Sequence, residues 1–564
     1  NTTTLHNEFA DEYNKDTDAS QTIKGLIIGA ESNDPNTNSI NISMGFKDVS
    51  HTDKVTIEGG KELVLVGNAV NAIPEGSFGD DANKLLKDSA DGGSIDVNNG
   101  QFTFGSHGGV TPTVGWILSS NIGEDGALEA KNGEFADWTI ANNGNVHVHS
   151  NAILHINSLT GNGSTVNEGK LSLDEKHGNL PVFDVTGNFL NKGQNSVLDA
   201  SKVDKVTVSG THANEGKADY NDMLIAEGGS SNNSGTEKGN ILTVEGTHAN
   251  SGTSIWNGVT VADSGNGENS GNLDVGSVFD VIGEFVNKGK DAVLDATKTA
   301  VTTVAGLLRN EGTANYDDMT VASGGTSNNS GFEKGDILTI ADGGQHTNSG
   351  TSIWNNVSIQ TGATSTVEVG GKETINGTYD IAGDRINKGE VDATGVANTQ
   401  VSGTLDNQGT SNYDDMTVAS GGTSNNSGYE KGDILIIEDG GEHINSGTSI
   451  WNNQTVQVGG SATTEEGGKE TINDKYVIDG EKTNKGEIDA TKVTDTLVSG
   501  ALDNQGKSEY DDMTIQGGGT SNNSGYEKGD ILTIDPNGEH NNSGTSIWNN
   551  VVVAGGDVNN TGDI

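Results

Sequence analysis

Ser349-Gly-Thr-Ser-Ile-Trp-Asn355 returns almost letter for letter at 251–257, 446–452 and 543–549. Its tryptophans, Trp256, Trp354, Trp451 and Trp548, are spaced by 98, 97 and 97 residues. A second marker keeps the same interval: Tyr220-Asn-Asp-Met223, Tyr316-Asp-Asp-Met319, Tyr413-Asp-Asp-Met416 and Tyr510-Asp-Asp-Met513. Spacing this regular over more than half the chain means a repeated structural unit, which grows along one axis instead of around a larger core.

Inside each long copy runs a finer beat, an asparagine with a glycine two residues later. From Asn191 to Asn560 there are 369 residues over 19 steps, a mean of about 19.4, and two 39-residue steps each skip one beat. Short Val/Ile/Leu runs such as Asp336-Ile-Leu-Thr-Ile340 lie between these turns. Asn and Gly tolerate positive φ and so turn a corner tightly, while the apolar residues point inward and stack on the next turn. The pattern predicts an all-β fold, a right-handed parallel β-helix of about 19–20 residues per coil with super-repeats of about 97 residues. With rungs ~4.8 Å apart, five per copy place equivalent residues about 24 Å apart. Leucine-rich, propeller and ankyrin repeats fail for want of leucines, of longer closed blades and of helices respectively.

The expected division is a capping segment over 1–60, irregular coils over 61–182, and long copies over 183–278, 279–378, 379–475 and 476–564, the last incomplete. A stacked β structure needs a cap at its open end, and Ile23–Gly29, Ile40–Met44 and Val55–Ile57 read as strands within it. Asp80–Ala90 reads as a short helix or excursion loop. The chain begins at Asn1 without a methionine or an apolar leader, as expected of a processed form, and stops at Ile564 with no capping sequence, as expected of a chain that continues.

Composition bounds the function. With 83 glycines, 5 prolines and 5% aromatic residues, the chain suits neither collagen nor a thick-cored enzyme. Eighty acidic against 31 basic side chains give a formal charge of −49, which makes nucleic acid and anionic lipid poor partners and divalent cations better ones. There is no cysteine, hence no disulfide, iron–sulfur cluster or thiol chemistry. No run approaches the ~18 apolar residues of a membrane helix.

Four groups of residues invite a chemical reading. His248, His346, His443 and His540 lie five rungs apart, too far to share an ion, and read as surface residues beside a turn. Asp317 with Asp318, Asp414 with Asp415, and Asp511 with Asp512 form a candidate acidic surface. Adjacent strand residues face opposite sides, so these pairs are not expected to converge as the two carboxylates of a glycoside hydrolase must. Stacked Asp and Asn oxygens suit Ca²⁺, yet the toxin-type calcium nonapeptide is absent, and Asn14–Gly25 lacks the glycine and glutamate of an EF-hand. No catalytic residue or resident cofactor is expected. Ile353 and Ile359 share strand parity, so Trp354 between them points outward unless the Asn355-Asn356 corner flips the phase. Outward indoles at Trp256, Trp354, Trp451 and Trp548 would form a contact row; otherwise each packs against a neighbouring rung.

The Asn-Ser-Gly-Thr and Asn-Lys-Gly turns, with Val55-Thr-Ile-Glu-Gly-Gly-Lys-Glu-Leu-Val-Leu-Val66 upstream, resemble the passenger domain of a type V autotransporter, of the self-associating adhesin class with ~19-residue repeats. The resemblance covers about residues 55–564. It implies a Gram-negative cell-surface or extracellular protein, exported through the periplasm, whose precursor carries an outer-membrane β-barrel translocator. The work it implies is adhesion, autoaggregation or biofilm formation, with the chain itself or surface glycans or proteins as partner. A filament or surface-layer subunit and a glycan-active β-helix enzyme are the alternatives, the last requiring a cleft with convergent carboxylates before residue 182.

Overall fold

The computed structural model of the chain describes residues 120–175 and 178–563, and before them the strands Leu26–Ile28, Ser39–Ile40, Lys54–Ile57, Lys61–Val66, Ser94–Gly105 and Gly115–Ile117. It is a parallel β-solenoid with about 19 residues per turn, the architecture that the Asn-x-Gly beat predicts. No helix among the described residues is long and apolar enough to cross a membrane. Chain contacts group into two compact units, Asn1–Gly276 and Ser277–Ile564.

One coil of the second unit explains the rest of that unit. Gln345–Asn348 forms one wall, and Thr351–Ile359 forms two more by bending at Asn355-Asn356. Along Thr351–Ile359 the buried residues are Ser352 and Trp354, then Val357 and Ile359, so alternation slips by one residue at the bend. Every wall pairs in parallel with the coil before and after. Phe332 lies opposite Thr351, Leu338 opposite Val357, and Trp354 opposite Ile375, with a register shift at the same bend. Val, Ile and Leu from successive coils therefore stack inside, as in the cluster around Ile472, Tyr476, Leu502 and Met513. The first unit repeats the arrangement, for instance with Leu242 opposite Val259.

The corners differ from the sequence expectation in one physical respect. Most Asn-x-Gly corners do not use positive φ; Gly193 and Gly289 do, while Gly331 and Gly350 do not. Glycine is needed at Gly350 because corners stack directly: a Cβ there would lie 2.1 Å from the Gly331 carbonyl oxygen. Positive φ belongs to the corner that follows each third wall, at Gly343 of Gly343-Gly344 (75°) and Gly362 of Gly362-Ala363 (80°).

The asparagine of each corner turns inward. Asn329 donates from Nδ2 to Asn348 Oδ1 at 3.0 Å and to the Thr351 carbonyl at 3.0 Å, and both asparagines are buried. In the first unit Asn214 does the same to Asn233 (2.8 Å) and Thr236 (3.0 Å). The two skipped beats are places where Val367 and Thr464 occupy the column. There the preceding asparagine, Asn348, keeps its bond to the Lys372 carbonyl (2.8 Å) and accepts from its own corner amide, Gly350 N (3.0 Å). A buried amide with every bond made specifies position, and one with a missing partner is costly.

The expected cap over 1–60 falls mostly outside the described residues, as do Asp80–Ala90 and Asn14–Gly25. Within that segment, Leu26–Ile28 pairs in parallel with Lys54–Ile57.

Replacing Asn329 with alanine leaves the Asn310 amide short of an acceptor and Asn348 Oδ1 short of a donor. The expected loss is about 2–3 kcal/mol, read from the urea unfolding midpoint. Asn328→Ala, one residue away and facing outward, is expected to change stability by less than about 0.5 kcal/mol.

Candidate functional site

The repeated motif residues meet inside the coils. Tyr316, Gly335 and Trp354 occupy equivalent positions on three successive coils, Gly335 lying opposite Trp354 in register. The indole leans into the space that glycine leaves, so that a Cβ on Gly335 would lie 2.2 Å from its Cζ3. Tyr316 reaches it from the other side, with ring centroids 6.0 Å apart and planes 10° from parallel. The same stack recurs for Tyr220 with Trp256, Tyr413 with Trp451 and Tyr510 with Trp548.

The outward contact row is therefore corrected. Trp256, Trp354 and Trp451 are at most 1% exposed, and Trp548 is half-buried against the core. The Asn-Asn bend flips the strand phase, which was the condition attached to the outward reading.

A polar chain accompanies each indole. Trp354 Nε1 donates to Ser352 Oγ (2.7 Å), and Ser352 Oγ donates to Glu333 Oε1 (2.8 Å). Nε2 of His346 lies 3.1 Å from that same oxygen. The Glu–His contact recurs between Glu237 and His248 (3.2 Å), Glu430 and His443 (3.1 Å), and Glu527 and His540 (3.1 Å). These histidines are 0–6% exposed, so their reading as surface residues is also corrected. They belong to the second residue of an inward-facing wall strand, where parity sends the side chain inside.

Two neighbouring columns carry this network. One reads Ser327, His346, Ser365, Arg385 and Leu405 in register; the other reads Ala314, Glu333, Ser352, Glu373 and Val391. Arg385 pairs with Glu373 and donates to Ser365, fully buried. In the next copy Lys482 pairs with Glu470, which also accepts from Gln454 (2.6 Å) and Thr464 (2.6 Å). Burial pulls the Arg385 guanidinium down to about 10. Burial pushes the Glu470 and Glu237 carboxyls up, but Lys482 and His248 respectively outweigh it, and both are held below the ordinary carboxylate range. Glu333, Ser352 and Gly335 escaped the sequence reading, although Glu333 stands 19 residues before Ser352, one coil, and so in register.

The aspartates are at the surface. Asp317, Asp414 and Asp511 are exposed, and Asp318, Asp415 and Asp512 are half-buried. Contrary to the expectation from strand parity, Asp414 and Asp415 do converge, each with an oxygen within 4.8 Å of the other and of Asp433 one coil on. Asp511, Asp512 and Asp530 repeat this. Asp414 is the corner residue between Thr410–Tyr413 and Asp415–Val418, so strict alternation does not apply there. Burial, then the adjacent Asp317 and Asp414, raise the Asp318 and Asp415 carboxyls above the usual range. Before residue 189, a cavity lined by Leu159, Phe183, Asp184 and Phe189 holds about 10 Å³, room for about one water.

No family model and no curated protein matches the chain. Among solved structures, a crystal structure of a TibA fragment hyper-glycosylated by TibC is similar, at 14% identity over 75% of this chain and 99% of that one, with a TM-score of 0.17. A likeness at that score carries neither fold nor activity across.

His212, in the first unit, provides a pH test of the buried column. Its Nε2 meets Tyr220 OH at 2.9 Å, its Nδ1 meets Ser231 Oγ at 3.1 Å, and its ring stacks on Phe189. Burial, only partly offset by Glu237, pulls its pKa from 6.5 down to about 4. The neutral ring is thus favoured in the fold, and its contribution is full above pH 6.5 and lost as pH falls towards 4. That contribution is about 3 kcal/mol. The drop in urea midpoint from pH 7 to pH 4.5 is expected to be smaller in His212→Phe than in the parent, whatever the variant's stability at pH 7.

Proposed function

We propose that this chain is a multivalent adhesin of the Gram-negative cell surface, acting through repeated weak contacts on the outside of its coils. In this reading it is exported through the periplasm and released or displayed by an outer-membrane β-barrel in its precursor. Its partner is a second copy of itself, or a glycan or protein on another cell.

The supporting observation is a surface feature copied with its surroundings. In the second unit Asp317, Asp318 and Asp336, then Asp414, Asp415 and Asp433, then Asp511, Asp512 and Asp530, recur at the same place on the coil. In each copy an asparagine one coil on, Asn355, Asn452 or Asn549, donates to the last aspartate at 2.8 Å. Identical patches at fixed intervals sum by avidity, and none needs a catalytic group. The indoles of Trp256, Trp354 and Trp451, being buried, take no part, and the acidic corners replace the row as the contact candidates. At −49 two copies repel, so salt, or Ca²⁺ at these carboxylates, would favour association.

Sedimentation velocity and light scattering across salt and Ca²⁺ concentration test this. Reversible assembly that grows with salt or Ca²⁺ is expected. A variant with asparagine at Asp317, Asp318, Asp414, Asp415, Asp511 and Asp512 is expected to assemble at lower salt and to lose the Ca²⁺ response. A monomer under every condition contradicts self-association and leaves surface glycans or proteins as the partner. Ordered arrays would favour the filament or layer subunit.

A further inference from the structure

His147 and His149 stand two residues apart on the strand Asn145–Thr160, so parity sends both rings to one face, and neither is fully buried. Their ring centroids are 3.8 Å apart. One coil back, Glu129 lies in register with His147, and its Oε2 is 3.7 Å from His147 Nδ1 and in direct contact with His149 Nε2. One coil on, Glu168 places Oε2 3.3 Å from His147 Nε2, while its other oxygen is held by Lys192 at 2.8 Å.

We propose that Glu129 Oε2, His147 Nδ1 and His149 Nε2 are three ligands of a divalent transition-metal ion of the zinc class. Each of the three residues offers a donor atom within 4.8 Å of those of the other two, close enough to converge on one ion, for which zinc takes bonds of ~2.0–2.2 Å. Two imidazoles and one carboxylate select zinc, nickel or copper over calcium or magnesium, which take oxygen alone.

His147 lies 3.7 Å from Glu129 and 3.3 Å from Glu168, and neither contact is as close as that of Glu129 with His149. Nε2 of His147 is enclosed and makes no aligned hydrogen bond. With Nδ1 on a metal, that nitrogen carries the proton and donates to Glu168, giving the carboxylate–histidine–metal arrangement that orients metal ligands. Lys192 in turn fixes Glu168. About 20–30% of each of the three ligand side chains is open to solvent, so a fourth position faces outward for water or for a donor from another molecule.

The test uses the full chain, stripped with a chelator and titrated with Zn²⁺ against a chromophoric competitor, and separately with Co²⁺ followed by visible absorption. The parent is expected to bind one more Zn²⁺ per chain than His147→Ala/His149→Ala, and to show Co²⁺ bands that this variant lacks. Glu168→Gln is expected to weaken that site about 10-fold or more while keeping its stoichiometry. Far-UV circular dichroism of each variant separates loss of ligands from loss of fold, and His149→Gln, milder at a partly exposed position, gives a second reading. Equal Zn²⁺ stoichiometry and affinity in the parent and the folded double variant, or no Zn²⁺ bound by the parent, would overturn the assignment.

Discussion

The amide of one buried asparagine donating to the side-chain oxygen of the next, coil after coil, is the interaction on which this structure rests. A parallel sheet alone does not fix which residue lies over which, because a slip by two residues keeps every side chain on its face and remakes every backbone bond. A column of asparagines does fix it. Asn387, Asn407, Asn426 and Asn445 each hold both the neighbouring amide oxygen or corner amide and the carbonyl that opens the next wall. Slipping that register would bury several amides with no partner, at about 1–3 kcal/mol for each unmet group.

The ionic columns add a second level of identity. Coils that share nearly the same sequence could exchange partners without loss if their interiors were uniformly apolar. Placing Glu333, Ser352, Glu373 and Arg385 on four successive coils, with Ala314 before them and Val391 and Leu405 closing the two columns, gives these coils distinct interiors. Buried ion pairs contribute little net stability against apolar replacements, but removing one partner is expensive. They suit a role in choosing the arrangement more than in strengthening it. The Tyr–Gly–Trp stack does comparable work with shape, since only the coil carrying Gly335 leaves room for the indole of Trp354.

Much of this was legible in the residues. The interval between asparagines and the short apolar runs were enough for the parallel β-solenoid and its 19-residue turn, because backbone geometry ties period to architecture. The direction of side chains was less so. Parity counted along Thr351–Ile359 points Trp354 outward, and the bend at Asn355-Asn356 that reverses it is a corner invisible to strict alternation. The same blindness separated Asp414 from Asp415, which a corner brings together. His346 was read by its polarity and not by its place on the wall, although its register with Ser327 and Ser365 follows from the beat already counted. Glu129, His147 and His149 come from two coils of the irregular region, where no repeat announces which residues will be neighbours.

Because the interior assignment of the repeated motif leaves the outer corners as the contact candidates, tryptophan exposure is its most direct measure. In a chain whose Trp116 and Trp138 are replaced by phenylalanine, the remaining emission comes from Trp256, Trp354, Trp451 and Trp548. Acrylamide quenching of that emission should be weak in the native chain, with a blue-shifted spectrum and the residual quenching traced by Trp548→Phe, and should rise on unfolding in urea. Strong quenching and red-shifted emission from the native chain, unaltered by Trp548→Phe, would place the indoles in water and contradict the buried Tyr–Gly–Trp column.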